Sequence, residues 1–161
     1  MANSLEVQIG NLLHGRRLKL ALAESCTGGL IGNRITDISG SSEYFWGSVV
    51  AYAYEAKVAI LDVSWDTLNS RGAVSRETVL EMARGARKVS GTDIAVSVSG
   101  IAGPGGGTDE KPVGTTWIGL VAKDGEWAEL NRFLGDRSQN KAYAADAALQ
   151  LLLDYLEGRL E

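Results

Sequence analysis

Near the start of the chain, apolar positions change from a helical spacing to an uninterrupted run. The spacing over residues 5–13 predicts a helix that ends at Gly15. The run at 18–23 predicts a buried strand, and the small polar residues of 24–29 lead into a second helix ending near Thr36. This part of the chain therefore predicts a strand, a tight turn and a helix in succession.

The middle of the chain continues the alternation of strand-like and helix-like patterns. Aromatic and β-branched residues over 46–54 predict a strand, and a helical segment is expected over 55–61. A longer amphipathic helix is predicted from a cap at Ser75 to Gly91. Residues 94–99 predict a third buried strand.

The last third contains a glycine-dense segment, two strand-like runs and a long helix. The glycines lie within residues 100–108, and the strand-like runs follow at 115–122 and 127–134. Asp124-Gly125 between those runs predicts a hairpin, since glycine supplies the positive φ that such turns need. The closing helix is predicted over 138–156.

The succession of helices and buried strands predicts an α/β fold. We expect a three-layer α/β/α sandwich in which a mixed sheet is flanked by helices. Hydrophobic residues make up 45% of the chain and charged residues 22%, values that exclude a disordered or fibrous class. Because no repeat or low-complexity linker divides the 161 residues, we predict one domain over 1–161.

The charge and the cysteine content limit which binding partners and which cellular compartment can be expected. The formal net charge of −4 gives no overall field that would attract nucleic acid or anionic lipid. No run approaches the roughly 20 apolar residues of a membrane span, and no export signal is evident. The single cysteine, Cys26, excludes an internal disulfide, so a cytoplasmic protein without nucleic-acid or membrane partners is expected.

The turn after the first strand holds the candidate nucleophiles. A strand-to-helix junction presents Ser25 and Thr27 at the strand end, and its backbone N–H groups can hold a phosphate or an oxyanion. Simple helix capping by either residue is the alternative. Cys26 is a rival nucleophile or a small packing residue.

The distribution of histidine limits the choice of base. His14 is the only histidine and lies near the end of the first helix, which disfavours Ser-His-Asp and Cys-His machinery and metal sites with several His or Cys ligands. A serine without histidine needs a lysine, tyrosine or carboxylate, and a lysine base must be neutral, which burial can achieve. Tyr52 and Lys57 are candidates; the alternatives are an ordinary half-buried tyrosine and a surface lysine.

The glycine-dense segment is the second candidate binding element. Its sequence, Gly100 to Thr108, would let backbone amides approach a ligand closely. It matches neither the phosphate-binding loop of nucleoside triphosphatases nor the dinucleotide-binding fingerprint. A ligand-binding loop and a flexible connection therefore both remain open.

Three blocks of sequence together are more specific than any single motif. They are Ala23-Glu24-Ser25-Cys26-Thr27-Gly28-Gly29, then Val50-Ala51-Tyr52 with Glu55-Ala56-Lys57, and then 99–107 with Glu110-Lys111-Pro112-Val113-Gly114-Thr115. In this order they resemble the C-terminal domain of the competence/damage-inducible CinA family, over nearly the whole chain. We expect a stand-alone form of that domain.

The resemblance implies an activity and a set of site residues. It implies deamidation of nicotinamide mononucleotide to nicotinate mononucleotide and ammonia, with Ser25 as nucleophile, Lys57 as base and Tyr52 assisting, and with no metal or cofactor. Family analogy also suggests a homo-oligomer, a dimer or higher. The predicted substrate-binding residues are Cys26, Thr27, Gly28, Gly29, Gly103, Gly105, Gly106, Gly107 and Thr115.

Two segments are expected to bind the substrate, and two pairs of residues depart from the family pattern. We expect amides at 27–29 to stabilise the oxyanion and the loop at 103–107 to hold the phosphate, or the reverse. The chain has Ala53-Tyr54 where the family usually has Ser-Asn, and Asn140-Lys141 where an aliphatic residue and arginine are common. A nucleotide-binding regulatory module with weak or lost amidase activity, and an amidase for another small amide, are the alternatives.

Overall fold

A computed structural model describes residues 3–161 as helices packed on a sheet. The helices are α1 Leu5–Arg16, α2 Leu30–Thr36, α3 Tyr54–Leu61, α4 Trp65–Arg71, α5 Arg76–Ser90 and α6 Arg137–Leu156. The strands are β1 Leu20–Glu24, β2 Phe45–Val50, β3 Ile94–Gly100, β4 Thr115–Ala122 and β5 Gly125–Arg132. A 3₁₀ turn at Ser41–Glu43 precedes β2.

The five strands form one mixed sheet in the order β2-β1-β3-β4-β5. β1 is parallel to both β2 and β3, whereas β4 is antiparallel to β3 and β5. The carboxyl ends of the three parallel strands therefore lie at one edge, where ligand sites of such sheets are found. Ser25, Ala51 and Ile101 are the residues that follow them.

Helices cover both faces of the sheet, which confirms the predicted three-layer sandwich. Large aliphatic residues such as Leu22 and Val96 pack against α1, α2 and α6. Small residues such as Ala23 and Ala95 pack against α3, α4 and α5. On this second face a Cβ on Gly119 would lie 2.8 Å from the Val79 carbonyl oxygen, so the glycine allows α5 to approach β4 closely.

The boundaries of the first helix and of the hairpin differ from the prediction. α1 continues through Gly15, because one glycine in a last turn costs only about 1 kcal/mol, and the chain turns at Arg17 with φ 56°. In the hairpin Ala122 is opposite Gly125, so the turn is Lys123-Asp124. Gly125 does not have a positive φ, and a Cβ there would lie 2.6 Å from the far end of the Trp127 ring, which would have to shift.

The segment between β2 and α5 differs most from its predicted form. β2 ends at Val50, and Tyr54 begins α3. The sequence pattern gave no indication of α4, since Leu68 is its only buried residue and the others, apart from Trp65, are polar. No helix within residues 3–161 has the length and apolar character needed to cross a membrane.

Candidate active site

Ser25 is fixed at the sheet edge by the neighbouring strand. It is the first residue after β1, and its N–H donates to the carbonyl oxygen of Val98 in β3, 3.1 Å away. Its side chain is buried, and the following turn rises to the exposed Gly28. The hydroxyl is thus held at the carboxyl end of the central parallel strand.

Lys57 approaches Ser25 from α3, the helix that follows β2. It lies in the first turn of α3 and is 1% exposed. Its Nζ is 2.8 Å from the Ser25 Oγ, 2.9 Å from the Ala51 carbonyl oxygen and 2.7 Å from the Tyr52 carbonyl oxygen. The structure therefore brings together the nucleophile and base that the resemblance paired.

Lys57 loses its proton more easily than an exposed lysine does. Burial lowers the pKa of its ammonium group from the ordinary 10.5 to about 8. None of the carboxylates in residues 3–161 forms a salt bridge with it. A neutral amine has two N–H groups for the carbonyls of Ala51 and Tyr52, which leaves its lone pair for the Ser25 hydroxyl proton.

Cys26 is poorly suited to act as the nucleophile. Burial raises the pKa of its thiol from 9.0 to about 11, although the positive charge of Lys57 acts in the opposite direction. The side chain belongs to the core cluster on the α6 face of the sheet. The reactive thiolate of Cys26 is therefore scarce, whereas Ser25 has the contact with Lys57.

Glu24 is an organising residue that the sequence reasoning did not select. Its carboxylate has no solvent exposure and accepts hydrogen bonds from the hydroxyls of Thr27 and Ser48, each at 2.7 Å. It also accepts from the N–H groups of Ile31 at 2.9 Å and Gly32 at 3.0 Å. An acidic residue at the end of a buried strand, before a turn that leads into a helix, was a signal that could have identified it.

These contacts occupy N–H groups of α2 that could otherwise bind a ligand. The first-turn amides of α2 already donate to Glu24, and the Gly28 N–H donates to the Ser25 carbonyl oxygen at 3.1 Å. The turn amides of Cys26 and Thr27 are not used in the backbone hydrogen bonds of residues 3–161. Gly28 and Gly29 have φ of 59° and 103°, which other residues rarely adopt.

Tyr52 contributes two separate groups to the site. Its carbonyl oxygen accepts from Lys57, whereas its side chain is 63% exposed. The Tyr52 hydroxyl lies 3.5 Å from a guanidinium nitrogen of Arg137, at the start of α6. The Tyr52 backbone therefore holds Lys57, whereas the Tyr52 ring is exposed.

The glycine-dense loop is tied to α6 at its beginning and open further on. The Gly103 carbonyl oxygen accepts from Arg137 at 2.7 Å, and the Ala102 carbonyl oxygen accepts from the side-chain amide of Asn140 at 3.0 Å. The three glycines of 105–107 are exposed. Thr115 is buried, and its hydroxyl donates to the Pro112 carbonyl oxygen at 2.6 Å, at the base of the loop.

A separate cavity of about 890 Å³ lies beside α1 and α6. Its lining includes Leu134, Tyr143 and Arg34, but no lysine or histidine. No cluster of three or more His, Cys, Asp or Glu side chains suited to a metal ion occurs among the residues that the structure describes. The contact between Ser25 and Lys57 is the candidate catalytic arrangement.

Comparison with known proteins identifies the family of the chain. The profile of the CinA C-terminal domain matches residues 2–156. The chain belongs to the CinA C-terminal domain family. Over 141 residues, 86% of the chain, it is 52% identical to a CinA-like protein of Syntrophomonas wolfei, of which it covers 33%. The chain therefore spans about a third of that relative's length.

Solved structures show the same fold for other CinA domains. A competence/damage inducible protein of Agrobacterium tumefaciens is 39% identical, with a TM-score of 0.92 over 95% of this chain and 93% of that one. A CinA superfamily protein of Klebsiella pneumoniae is 34% identical, with a TM-score of 0.92 over 96% of each chain. These similarities confirm the resemblance that the sequence blocks carried.

Two basic residues near Ser25 were not among the predicted site residues of this CinA domain, although Lys141 was noted as a departure from the family pattern. Arg137 contacts Tyr52 and Gly103. The Nζ of Lys141 lies 3.9 Å from the position that a Cβ on Gly28 would occupy. Their spacing of four residues on a predicted helix was a usable signal, because it places both side chains on one helix face.

Proposed function

We propose that this CinA domain deamidates nicotinamide mononucleotide to nicotinate mononucleotide and ammonia. The contact of 2.8 Å between Lys57 Nζ and Ser25 Oγ is the observation that carries the proposed amide chemistry. The choice of substrate comes from the family resemblance. Both residues are buried at the carboxyl edge of the parallel strands.

Acylation uses the neutral amine of Lys57. The Ser25 oxygen attacks the carboxamide carbon while its proton moves to Lys57 Nζ, which forms a tetrahedral intermediate. The turn amides of Cys26 and Thr27 supply hydrogen bonds to the resulting oxyanion. The C–N bond then breaks, and the proton held by Lys57 moves to the leaving nitrogen, which departs as ammonia.

Deacylation repeats the proton transfers with water. The product of acylation is an ester between Ser25 and the nicotinoyl group. Lys57, neutral again, takes a proton from water as the water oxygen attacks this ester. Collapse of the second intermediate returns the proton to the Ser25 oxygen and releases nicotinate mononucleotide.

A nucleotide-binding regulatory module with weak amidase activity is the second candidate. The observation that favours it is the change at Ala53, which is the N-cap residue of α3, the helix that carries Lys57. Ala53 has no side-chain hydrogen bond to that helix, whereas serine at a cap can satisfy a free N–H group. A less stable α3 would weaken the base without removing it.

Release of ammonia from nicotinamide mononucleotide separates the two candidates. The wild-type protein is assayed beside Ser25→Ala and Cys26→Ala, with and without EDTA. We expect turnover by wild type and Cys26→Ala in both buffers, and its loss in Ser25→Ala. Full turnover by Ser25→Ala would contradict the mechanism, and nucleotide binding by wild type without ammonia release would support the regulatory module.

A further inference from the structure

Two basic side chains of α6 converge on the mouth of the candidate active site. Arg137 and Lys141 are the first and fifth residues of that helix, so they lie one turn apart on the same face. The Arg137 guanidinium contacts the Gly103 carbonyl oxygen and the Tyr52 hydroxyl. Lys141 Nζ reaches the exposed turn at Gly28, three residues after the nucleophile.

The start of α6 is held firmly against the glycine-dense loop. Asn140 is buried, donates to the Ala102 carbonyl oxygen at 3.0 Å and accepts from the Gly135 N–H at 2.9 Å. Asp136 and Gln139 form a capping box at the first turn. The positions of the two cations therefore come from a well-anchored helix end.

Neither cation is neutralised by a neighbour. In the described part of the chain no carboxylate forms a salt bridge with Arg137 or Lys141. Asp136, the nearest acid in sequence, accepts from the Gln139 N–H instead. Like charges four residues apart destabilise a helix by a few tenths of a kcal/mol, so the pair is favourable only when an anion lies between them.

We propose that Arg137 and Lys141 form the subsite for the 5′-phosphate of the nucleotide substrate. This proposal rests on the proposed function. It identifies the two residues that give the protein selectivity for a phosphorylated amide. A guanidinium offers several N–H donors to phosphate, and an ammonium adds a mobile point charge. In a chain of net charge −4 such an unpaired cationic pair attracts an anion locally.

This subsite also changes the expected role of the glycine-dense loop. Arg137 holds the Gly103 carbonyl oxygen, so a phosphate bound by Arg137 lies beside the start of the loop. The exposed glycines of 105–107 can then close on the ligand through their backbone amides. The cations supply the charge, and the loop supplies additional hydrogen bonds.

Comparison of two substrates that share the amide tests the subsite. We would measure kcat/KM for nicotinamide mononucleotide and for nicotinamide riboside, which lacks the phosphate. Arg137→Gln and Lys141→Gln should each lower the value for the nucleotide by about 10- to 100-fold, the loss expected for one charged hydrogen bond, and lower the riboside value far less. Equal losses on both substrates, or no loss, would overturn the proposal.

Matched variants control for charge and folding. Lys123→Gln removes an exposed lysine from the β4–β5 turn and should leave both values unchanged. Lys141→Arg keeps the positive charge and should retain most of the preference for the nucleotide. Thermal unfolding of each variant shows whether a loss comes from the fold.

Binding of inorganic phosphate separates this proposal from the proposed function. Calorimetry on wild type should show phosphate binding that Arg137→Gln and Lys141→Gln weaken and that salt screens. If phosphate binds in this way but the nucleotide is not deamidated, the subsite stands and the proposed function fails. If the nucleotide is deamidated but phosphate binding is absent or unaffected by the variants, the subsite fails alone.

Discussion

At the scale of single residues, the protonation of Lys57 controls the candidate chemistry. Its pKa is lowered to about 8 by burial, so roughly a tenth of it is neutral at pH 7. We expect kcat/KM for nicotinamide mononucleotide to rise with pH and level off above about 8. Lys57→Arg, which stays charged, should lose activity at every pH, and a wild-type profile that is flat from about pH 6 to 9 would contradict this role for Lys57.

The two groups of Tyr52 can be separated by removing only its hydroxyl. Tyr52→Phe keeps the carbonyl oxygen that accepts from Lys57 at 2.7 Å. Because the hydroxyl lies on an exposed side chain near Arg137, we expect less than about a tenfold loss of kcat and an unchanged rise with pH.

Tyr54→Phe is the matched control for this experiment, since Tyr54 packs on Trp65 with ring centroids 6.5 Å apart. Its kcat should equal that of wild type. A loss of a hundredfold or more in Tyr52→Phe alone would show instead that the hydroxyl transfers a proton in the reaction.

At the scale of elements, the N-terminus of α3 offers a test of the Ala53 departure. Ser64 and Ser75 cap α4 and α5 through their side chains, whereas Ala53 makes no such bond. Ala53→Ser should therefore raise the free energy of unfolding by about 0.5–2 kcal/mol in urea titrations. Ala59→Ser, exposed within the same helix, should not stabilise the protein. Equal effects of the two changes would argue against capping.

The contact between α6 and the glycine-dense loop depends on Asn140, where the family commonly has an aliphatic residue. Asn140→Leu leaves the Ala102 carbonyl oxygen and the Gly135 N–H without their partner, at a cost of about 1–3 kcal/mol. We expect a lower Tm, faster hydrogen exchange in the loop and a higher KM for the nucleotide. Gln150→Leu, exposed on the same helix, should change none of these. Unchanged loop exchange in Asn140→Leu would contradict the anchoring role.

Sequence patterns predicted the elements better than the contacts between them. The buried run before Ser25 indicated a strand-to-helix turn, and the structure has one. The contact of Ser25 with Lys57 depends on strand register: Glu24 pairs with Val50, so the residues that follow the two strands lie side by side. The spacing of residues along the chain does not reveal this register. The pairing of Ser25 with Lys57 could therefore be predicted only from the family resemblance. α4 was missed because a helix with one buried residue has almost no apolar periodicity.

At the scale of the whole molecule, the topology explains why one edge of the sheet holds the site. From β1 the chain passes through α2 to β2 on one side, and then through the helices of the opposite face to β3 on the other side. The connections therefore diverge around the carboxyl end of β1, which leaves a crevice there. Ser25 lies at this point, and Lys57 reaches it from the segment that begins the crossing.

At the same scale, the buried Lys57 should make the free energy of unfolding depend on pH. Between about pH 8 and 10.5 the unfolded chain holds a proton on Lys57 that the folded chain has released, so this residue makes stability rise with pH. Cys26 acts oppositely between about 9 and 11, because its thiolate forms more readily in the unfolded chain. The two effects overlap in wild type, and a single stability curve therefore hides both.

Subtracting a variant isolates the contribution of Lys57. Lys57→Met removes the titrating group and keeps an apolar chain in the buried space, and both proteins carry Cys26→Ala so that the thiol titrates in neither. The free energy of unfolding of Cys26→Ala minus that of Cys26→Ala with Lys57→Met, from urea titrations, should increase by about 3 kcal/mol from pH 8 to 10.5. A difference that is constant over this range would mean that Lys57 is not held as a buried, easily deprotonated amine, and its role as the base would fail with it.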